Sequence, residues 1–166
     1  MELTINLIKM DKILDIDNVD LKIISLLNKD AKTPYTEIAK KVFVSSGTVH
    51  VRMRKLEDLG VVKSATLNID YSKLGYDISA FLGIYLEKSS LYDTVIEKLK
   101  DISEVINAYY TTGNYSIFAK IICKDTNHLR DVLNKIQLVE GIDRTETLIV
   151  LEESINRPIH LITDKK

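Results

Sequence analysis

The apolar positions in the first third of the chain predict two short helices joined by a tight turn. The first helix carries one apolar stripe at the spacing i, i+3, i+4, i+7, formed by Tyr35, Ile38, Ala39 and Val42. Thr33 followed by Pro34 is typical of a helix start. This stripe predicts a helix that packs by one face.

The second helix of this pair has a packing face and an opposite polar face. Ser45 is expected to cap its start, and Gly60 its end, where the chain needs a left-handed residue. At 100° per residue the apolar side chains Val49, Met53 and Leu56 cluster on one side. The other side presents Gly47, His50, Val51 and Arg54. Such a helix fits the major groove of DNA, so the pair is predicted to be a helix-turn-helix.

Beyond Gly60 the pattern changes to strands and helices in a fixed order. Residues 61–69 are predicted to form a short extended wing, and residues 70–75 a connection. Four strands are predicted at Ile78–Leu86, Val105–Thr112, Tyr115–Cys123 and Thr145–Leu151. Two helices between them show apolar stripes at helical spacing, namely Tyr92, Val95, Ile96 and Leu99, and then Leu129, Val132, Leu133 and Ile136. Gly113-Asn114 is predicted to be the tight turn that joins the middle strands.

The fold class that follows is α+β. An N-terminal winged helix-turn-helix is joined to a C-terminal ferredoxin-like βαββαβ sandwich. The predicted boundaries are residues 1–64 for the DNA-binding domain, 65–76 for the wing and linker, 77–154 for the sandwich and 155–166 for a tail.

The first strand of the sandwich predicts an oligomer. Two helices cover one face of a four-stranded sheet, yet ISAFLGIYL is apolar on both faces. A second copy of the sheet would bury the other face and set two DNA-binding units side by side. The alternative is a monomer in which the N-terminal segment of the same chain covers that face.

The composition is that of a soluble globular protein, and its local positive charge fits either a phosphate contact surface or a solvated helix face. The 166 residues are 45% hydrophobic and 28% charged, and residues 40–64 hold six Lys and Arg against two Asp and Glu, a net charge of +4. The apolar runs are too short for a membrane span and no leader pattern is seen, so we expect the cytoplasm. The single cysteine, Cys123, excludes an internal disulfide and is expected to be an inert packing residue.

Several longer motifs resemble one known family. They are IDNVDLKIISLLNKDAKTPYTEIAKKV, VSSGTVHVRMRKLEDLGVV, LGYD, AYYTTGNYSIF and RTETLIVL. From Ile16 onward the chain resembles the leucine-responsive regulatory (Lrp/AsnC, or feast/famine) transcription factors. VSSGTVHVR and the last two motifs are most similar to the asparagine-responsive branch, and Ser116 stands where many relatives have Asp.

The resemblance implies an assembly and a small-molecule site. Relatives form homodimers and often octameric discs, and an amino acid lies between dimers. The matching residues here are the turn Thr112, Gly113, Asn114, Tyr115 and Ser116, together with Thr145 and Thr147. A glycine-containing turn lets backbone N–H groups approach a carboxylate, and two threonines two apart on a strand share one face. Asparagine is the expected effector, and no other cofactor and no metal is expected.

The residues expected to contact DNA lie in and after the second helix. They are Ser45, Ser46, Gly47, Thr48, His50, Val51, Arg52, Arg54, Lys55 and Lys63. We expect Arg54 or His50 to read base edges, and the polar and cationic residues that flank them to contact phosphates.

Two other function classes stay open at this point. A sensor without DNA binding would need only the sandwich, although the cations of the second helix argue against it. An enzyme has little support, because the chain has no glycine-rich phosphate loop and its three histidines are scattered in the sequence. His50 is expected to face DNA, and His128 to be an exposed residue at a helix N-terminus.

Overall fold

The computed structural model describes residues 15–161, which divide into two compact units. The first unit comprises the described residues up to Leu67 together with those from Ile155 onward, and the second spans Asn68–Ser154. No helix in the described part of the chain is long and apolar enough to cross a membrane.

Three helices build the first unit. They are α1 (Asn18–Lys29), α2 (Tyr35–Val42) and α3 (Ser46–Asp58). Their shared core contains the predicted stripe side chains Ile38, Ala39 and Val42 of α2 and Val49, Met53 and Leu56 of α3, with Ile23 of α1. The two apolar stripes therefore meet as the sequence predicts.

The ends of α3 follow from local hydrogen bonding and backbone geometry. The Ser45 hydroxyl accepts a hydrogen bond from the backbone N–H of Thr48 at 3.0 Å, which confirms the predicted cap. At the other end Gly60 has φ 70°, so its left-handed conformation is also confirmed.

The second unit is a four-stranded antiparallel sheet with two helices. In chain order it contains β1 (Ile78–Leu86), α4 (Tyr92–Lys100), β2 (Val105–Tyr110), β3 (Ile117–Cys123), α5 (Thr126–Gln137) and β4 (Ile142–Ile149). The strand order is β2-β3-β1-β4, with β1 paired to β3 on one side and to β4 on the other. This is the predicted βαββαβ sandwich.

The two faces of the sheet differ as the predicted pattern of β1 requires. Ala80, Leu82 and Ile84 are fully buried in the core, which α4 and α5 cover. Between them, Phe81 and Tyr85 project to the opposite face, which we call the open face. There Phe81 stacks on Phe118 of β3 with ring centroids 5.3 Å apart. The open face is therefore lined with aromatic side chains.

Several sequence predictions differ from the structure. Strand β4 covers Ile142–Ile149 rather than Thr145–Leu151, β2 ends at Tyr110 and β3 begins at Ile117. Residues 61–69, predicted to be an extended wing, form no strand, and the N–H groups of Val61 and Val62 donate to the Leu56 carbonyl at the end of α3. Gly113-Asn114 belongs to a wider loop than a two-residue turn, closed by the Thr111 N–H and the Ser116 carbonyl. His128 is half-buried rather than exposed, because its Nε2 lies 2.9 Å from Oε1 of Glu104.

The second unit contains two side chains, Cys123 and Glu104, whose pKa is shifted by burial or by a hydrogen bond. Burial raises the pKa of the Cys123 thiol, which keeps it protonated and supports an inert packing role. The hydrogen bond from His128 is the main reason why the pKa of Glu104 is lowered.

Phe43 is the one described non-glycine residue with positive φ, at 58°, and its side chain is 93% exposed. A left-handed conformation costs a residue with Cβ about 1–2 kcal/mol, and burial does not offset it here. Phe43→Gly should therefore raise the free energy of unfolding by about 0.5–1 kcal/mol after the greater chain entropy of glycine is subtracted.

The matched control is Val61→Gly, since Val61 is also an exposed apolar residue of this unit but lacks positive φ. It should lower the free energy of unfolding in the same urea titration. Equal destabilisation by both substitutions would contradict the strain assigned to Phe43.

Candidate nucleic-acid interface and effector site

The outward face of α3 is the candidate DNA-reading surface. Gly47, His50 and Arg54 are exposed, and Val51 is 71% exposed, while the opposite face of the helix is buried in the core. The His50 ring packs edge-on against Tyr35 of α2, with centroids 4.6 Å apart. This contact holds the imidazole beside the exposed face. The predicted separation of a packing face and a reading face is therefore present.

A shallow groove borders the N-terminal end of α3. Its lining includes Ser45, Gly47, Thr48 and Val51, all of which are in the predicted DNA-contact set. Ser46 begins the helix and is exposed. The Ser45 hydroxyl already lies 2.8 Å from the Thr48 hydroxyl, so both side chains are oriented before any ligand arrives. Small side chains here leave room for the edge of a DNA backbone.

One nitrogen of the Arg52 guanidinium is engaged in ion pairs within the unit. Its Nη1 lies 2.7 Å from Oδ2 of Asp17 and 2.8 Å from Oδ1 of Asp20, whose side chain is fully buried. Hydrogen bonds to Asp20 and then Asp17 raise the pKa of Arg52. This internal ion pair ties α3 to the start of α1, and the phosphate contact of Arg52 stays a prediction.

Asp17 and Asp20 also form hydrogen bonds between the side chain of each and the backbone N–H of the other. Asp17 accepts hydrogen bonds from the N–H groups of Val19 and Asp20, while the Asp17 N–H donates to Asp20 Oδ2 at 3.1 Å. The bond from the Asp20 N–H is the largest cause of the lowered pKa of Asp17. The sequence signal was the capping-box spacing of two aspartates in DNVD, which sequence reasoning did not use.

Lys55 also forms an ion pair within the unit, whereas, among the residues that the structure describes, Arg54 and Lys63 do not. The Lys55 ammonium lies 2.9 Å from Asp15 Oδ2 and also contacts the Asp15 carbonyl. Arg54 and Lys63 are exposed, and no acidic residue in the described range 15–161 pairs with either. The free cationic groups on this side of the unit are thus fewer than the sequence suggested.

The loop expected to hold an effector is ordered by three hydrogen bonds. The Thr111 N–H donates to the Ser116 carbonyl and the Thr111 hydroxyl to the Tyr115 carbonyl, at 3.2 and 2.8 Å. The Ser116 N–H donates to Ile84 of β1. Thr112, Gly113 and Asn114 are exposed at the tip. Gly113 has φ 106° and open space where a Cβ would be, so a ligand can approach its backbone.

Tyr115 is directed to the open face of the sheet. A Cβ added to Gly83 would lie 2.4 Å from the Tyr115 ring, so the glycine is what allows the ring to lie against β1. The hydroxyl donates to Oε2 of Glu146 at 2.9 Å, and this bond raises the pKa of Tyr115. Glu146 is a partner that sequence reasoning missed, since only strand register places it opposite Gly83.

Thr145 and Thr147 do share one face of β4, because they pair with Ile84 and Leu82 of the helix-covered side of β1. The Thr145 hydroxyl accepts a hydrogen bond from Gln137 Nε2 of α5 at 3.2 Å. The Tyr115 ring lies on the other face, and β1 stands between β4 and the loop. A single chain therefore does not bring all the predicted effector residues together. No group of three His, Cys, Asp or Glu in the described chain could hold a metal ion.

The chain matches two family models and several characterised proteins. Residues 16–63 match a winged helix-turn-helix DNA-binding domain, and residues 79–159 match the Lrp/AsnC ligand binding domain. The regulatory protein AsnC of Haemophilus influenzae is 49% identical over 87% of this chain and 97% of its own length. The corresponding values for AsnC of Escherichia coli are 45%, 87% and 95%.

Solved structures agree with these matches. The structure of E. coli AsnC superposes with a TM-score of 0.82 at 44% identity, covering 87% of this chain and 98% of the other. A feast or famine regulatory protein from M. tuberculosis, complexed with L-methionine, gives a TM-score of 0.82 at 27% identity, covering 88% and 99%. These similarities show that the chain belongs to the Lrp/AsnC family of transcription regulators.

Proposed function

We propose that this protein is a DNA-binding regulator of amino-acid metabolism in a prokaryotic cytoplasm and that asparagine is its effector. The observation that carries the proposal is the exposed face of α3, where His50, Val51 and Arg54 stand opposite a buried apolar stripe. A helix so arranged can enter the major groove without losing its own packing. The names of the AsnC relatives support asparagine among the amino acids.

A sensor that has lost DNA binding is the second candidate. The intact capping of α3 and its unpaired Arg54 speak against it, because a helix without a nucleic-acid partner has no need of that surface. A gel shift with genomic fragments separates the two functions. A regulator binds in a salt-sensitive and sequence-preferring way, whereas the sensor leaves DNA unshifted.

We assign different tasks to the exposed cations. Arg54, with His50 beside it, reads base edges, while Lys63 contacts a phosphate. The groove of Ser45, Gly47 and Thr48, with Ser46 next to it in the chain, accommodates the DNA backbone. Lys55 contacts a phosphate only after its ion pair with Asp15 is broken. Arg52 contributes indirectly, because its ion pair with Asp20 holds α3 in place.

The assignment predicts different losses at two positions. Arg54→Ala should weaken operator binding by about 1–3 kcal/mol and leave random DNA almost unaffected, because a base contact is lost. Lys63→Ala should weaken binding to operator and to random DNA equally, and it should reduce the slope of log K against log salt concentration by about 1. The measurement is fluorescence anisotropy on both DNAs at several salt concentrations.

Arg130→Ala is the matched control, since Arg130 is an exposed arginine of the second unit and lies outside the predicted DNA-contact set. It should change neither affinity. If Arg54→Ala lost operator and random DNA binding equally, base reading by Arg54 would be refuted.

The open face of the sheet is proposed to form a two-fold dimer. Phe81 and Tyr85 of β1 project there with Phe118, and Leu148, opposite Phe81 on β4, is 46% exposed. No helix within residues 15–161 covers this aromatic face, and a second copy would bury it symmetrically. The alternative cover, the start of the N-terminal segment, lies outside the described residues. In such a dimer the two α3 helices would contact DNA half-sites whose centres are about 34–36 Å apart. Octamers are proposed from the family resemblance.

Phe81→Lys should convert the protein to a folded monomer, because a charge would be buried in the interface next to Lys120. Leu148→Lys, at a more exposed site on the same face, should do so with less risk to the fold. Light scattering gives the mass, and circular dichroism verifies folding. Leu138→Lys, 85% exposed at the end of α5, is the control and should stay oligomeric. A monomeric parent at micromolar concentration would refute the dimer.

The effector is proposed to bind between dimers, through the loop Thr112–Ser116 and the Thr145 and Thr147 hydroxyls of adjoining chains. Each chain supplies only part of such a site. Its loop and its threonines lie toward the same end of the sheet but on different faces, which supports a site shared between chains. A ligand shifts the assembly or the DNA affinity only if it binds one state more tightly, so DNA and asparagine affinities should be linked reciprocally.

Calorimetry with asparagine, glutamine, aspartate, leucine and lysine tests this site. Asparagine should bind most tightly, and Thr147→Val should weaken it by about 1–3 kcal/mol, because a polar ligand group is left unpaired. Thr126→Val is the matched control, since Thr126 is exposed at the start of α5. If no amino acid bound below about 1 mM, or if both valine variants lost affinity alike, the site would be misplaced.

A further inference from the structure

A cleft in the first unit lies outside the surfaces assigned above. It has a volume of about 850 Å3 and lies between α1, the end of α2 and the segment from Ile155 to His160. No residue of α3 lines it. The volume is within the range of small-molecule sites, which is about 300–1,000 Å3. The cleft is therefore large enough for a nucleotide-sized ligand.

The charges around the cleft all have one sign. Lys22 and Lys29 of α1, Lys41 of α2 and Arg157 contribute four cationic groups, and no carboxylate lines the space. Within the described chain none of the four forms an ion pair with an acidic residue. Like charges facing one cavity repel each other, so the arrangement is least costly when an anion lies between them.

The remaining lining is mainly apolar. Leu26 and Val42 form part of the wall, and Pro158 and Ile159 border it from the C-terminal segment. Ile159 is 83% exposed and Ile155 is 75% exposed, so this segment leaves apolar surface uncovered beside the cations. A DNA backbone is too hydrophilic to cover such surface. A small anion with an apolar or aromatic body would satisfy both parts of the lining.

We propose that this cleft binds a small phosphate-bearing molecule with an aromatic or apolar body, of the nucleotide class. The lysines and Arg157 hold the phosphates by charge-assisted hydrogen bonds, and the body lies against the apolar lining. The site is separate from the asparagine site and does not depend on the assignment of that effector. It would give the DNA-binding unit a second ligand.

Calorimetry of the full-length protein with ATP, with sodium tripolyphosphate as the head group alone, tests the proposal. ATP should bind at least about tenfold more tightly than tripolyphosphate, because only ATP has a body to bury. The double variant Lys29→Gln/Arg157→Gln should weaken ATP binding by about tenfold or more. Ile159→Asp, at an exposed position, should also weaken ATP binding and leave the fold unchanged.

The matched control is Lys32→Gln/Arg130→Gln, which removes the same charges from exposed positions outside the cleft. It should change ATP affinity less than about twofold. Operator affinity without nucleotide should be the same in the cleft variants and the parent, which separates this site from the DNA surface. The proposal fails if ATP does not bind at about 5 mM, if the control loses as much affinity as the cleft variants, or if the cleft variants lose operator binding instead.

Discussion

The buried carboxylate of Asp20 is the constraint that organises the DNA-binding unit. It is fully shielded from solvent, and an unpaired charge there would be strongly unfavourable. Arg52 supplies the counter-charge from the middle of α3, and Asp17 completes the set from the N-cap of α1. Because residues two apart on a helix differ by about 200°, turning Arg52 inward turns Arg54 outward. The ion pair, together with the buried stripe of Val49, Met53 and Leu56, thus sets which side of α3 is exposed.

The second unit depends on a different asymmetry. Helices α4 and α5 cover one face of the sheet, and the aromatic residues Phe81, Tyr85 and Phe118 line the other. Gly83 lies between them and allows the Tyr115 ring to pack against β1. Through this contact the loop that bears the proposed effector residues packs against the proposed dimer face. A ligand bound at the loop and a partner chain bound at the sheet would therefore both contact residues that pack against each other.

Periodicity predicted α2 to α5 and the order of the strands, but neither α1 nor the partners of the polar side chains. The stripes of α2 to α5 and the bounds of β1 follow from apolar spacing alone, because burial enforces it. Arg52 and Lys55 were predicted to be phosphate contacts, since a sequence shows a cation without showing that Asp17, Asp20 or Asp15 lies beside it. Likewise, the sequence does not show where the threonines of β4 lie relative to the loop of the same chain, whereas the register places β1 between them. These interactions depend on tertiary geometry.

The central claim is that Arg52 is coupled to Asp20 and thereby holds α3 against α1. A double-mutant cycle with Asp20→Asn, Arg52→Gln and the double variant, measured by urea unfolding followed by helical circular dichroism, tests it most directly. Arg52→Gln should cost about 3 kcal/mol, because it leaves the buried Asp20 carboxylate without its counter-charge. Asp20→Asn should cost less, because Arg52 keeps Asp17, and the double variant should cost at least about 1 kcal/mol less than the sum of the two. Additive losses within about 0.5 kcal/mol would contradict the coupling.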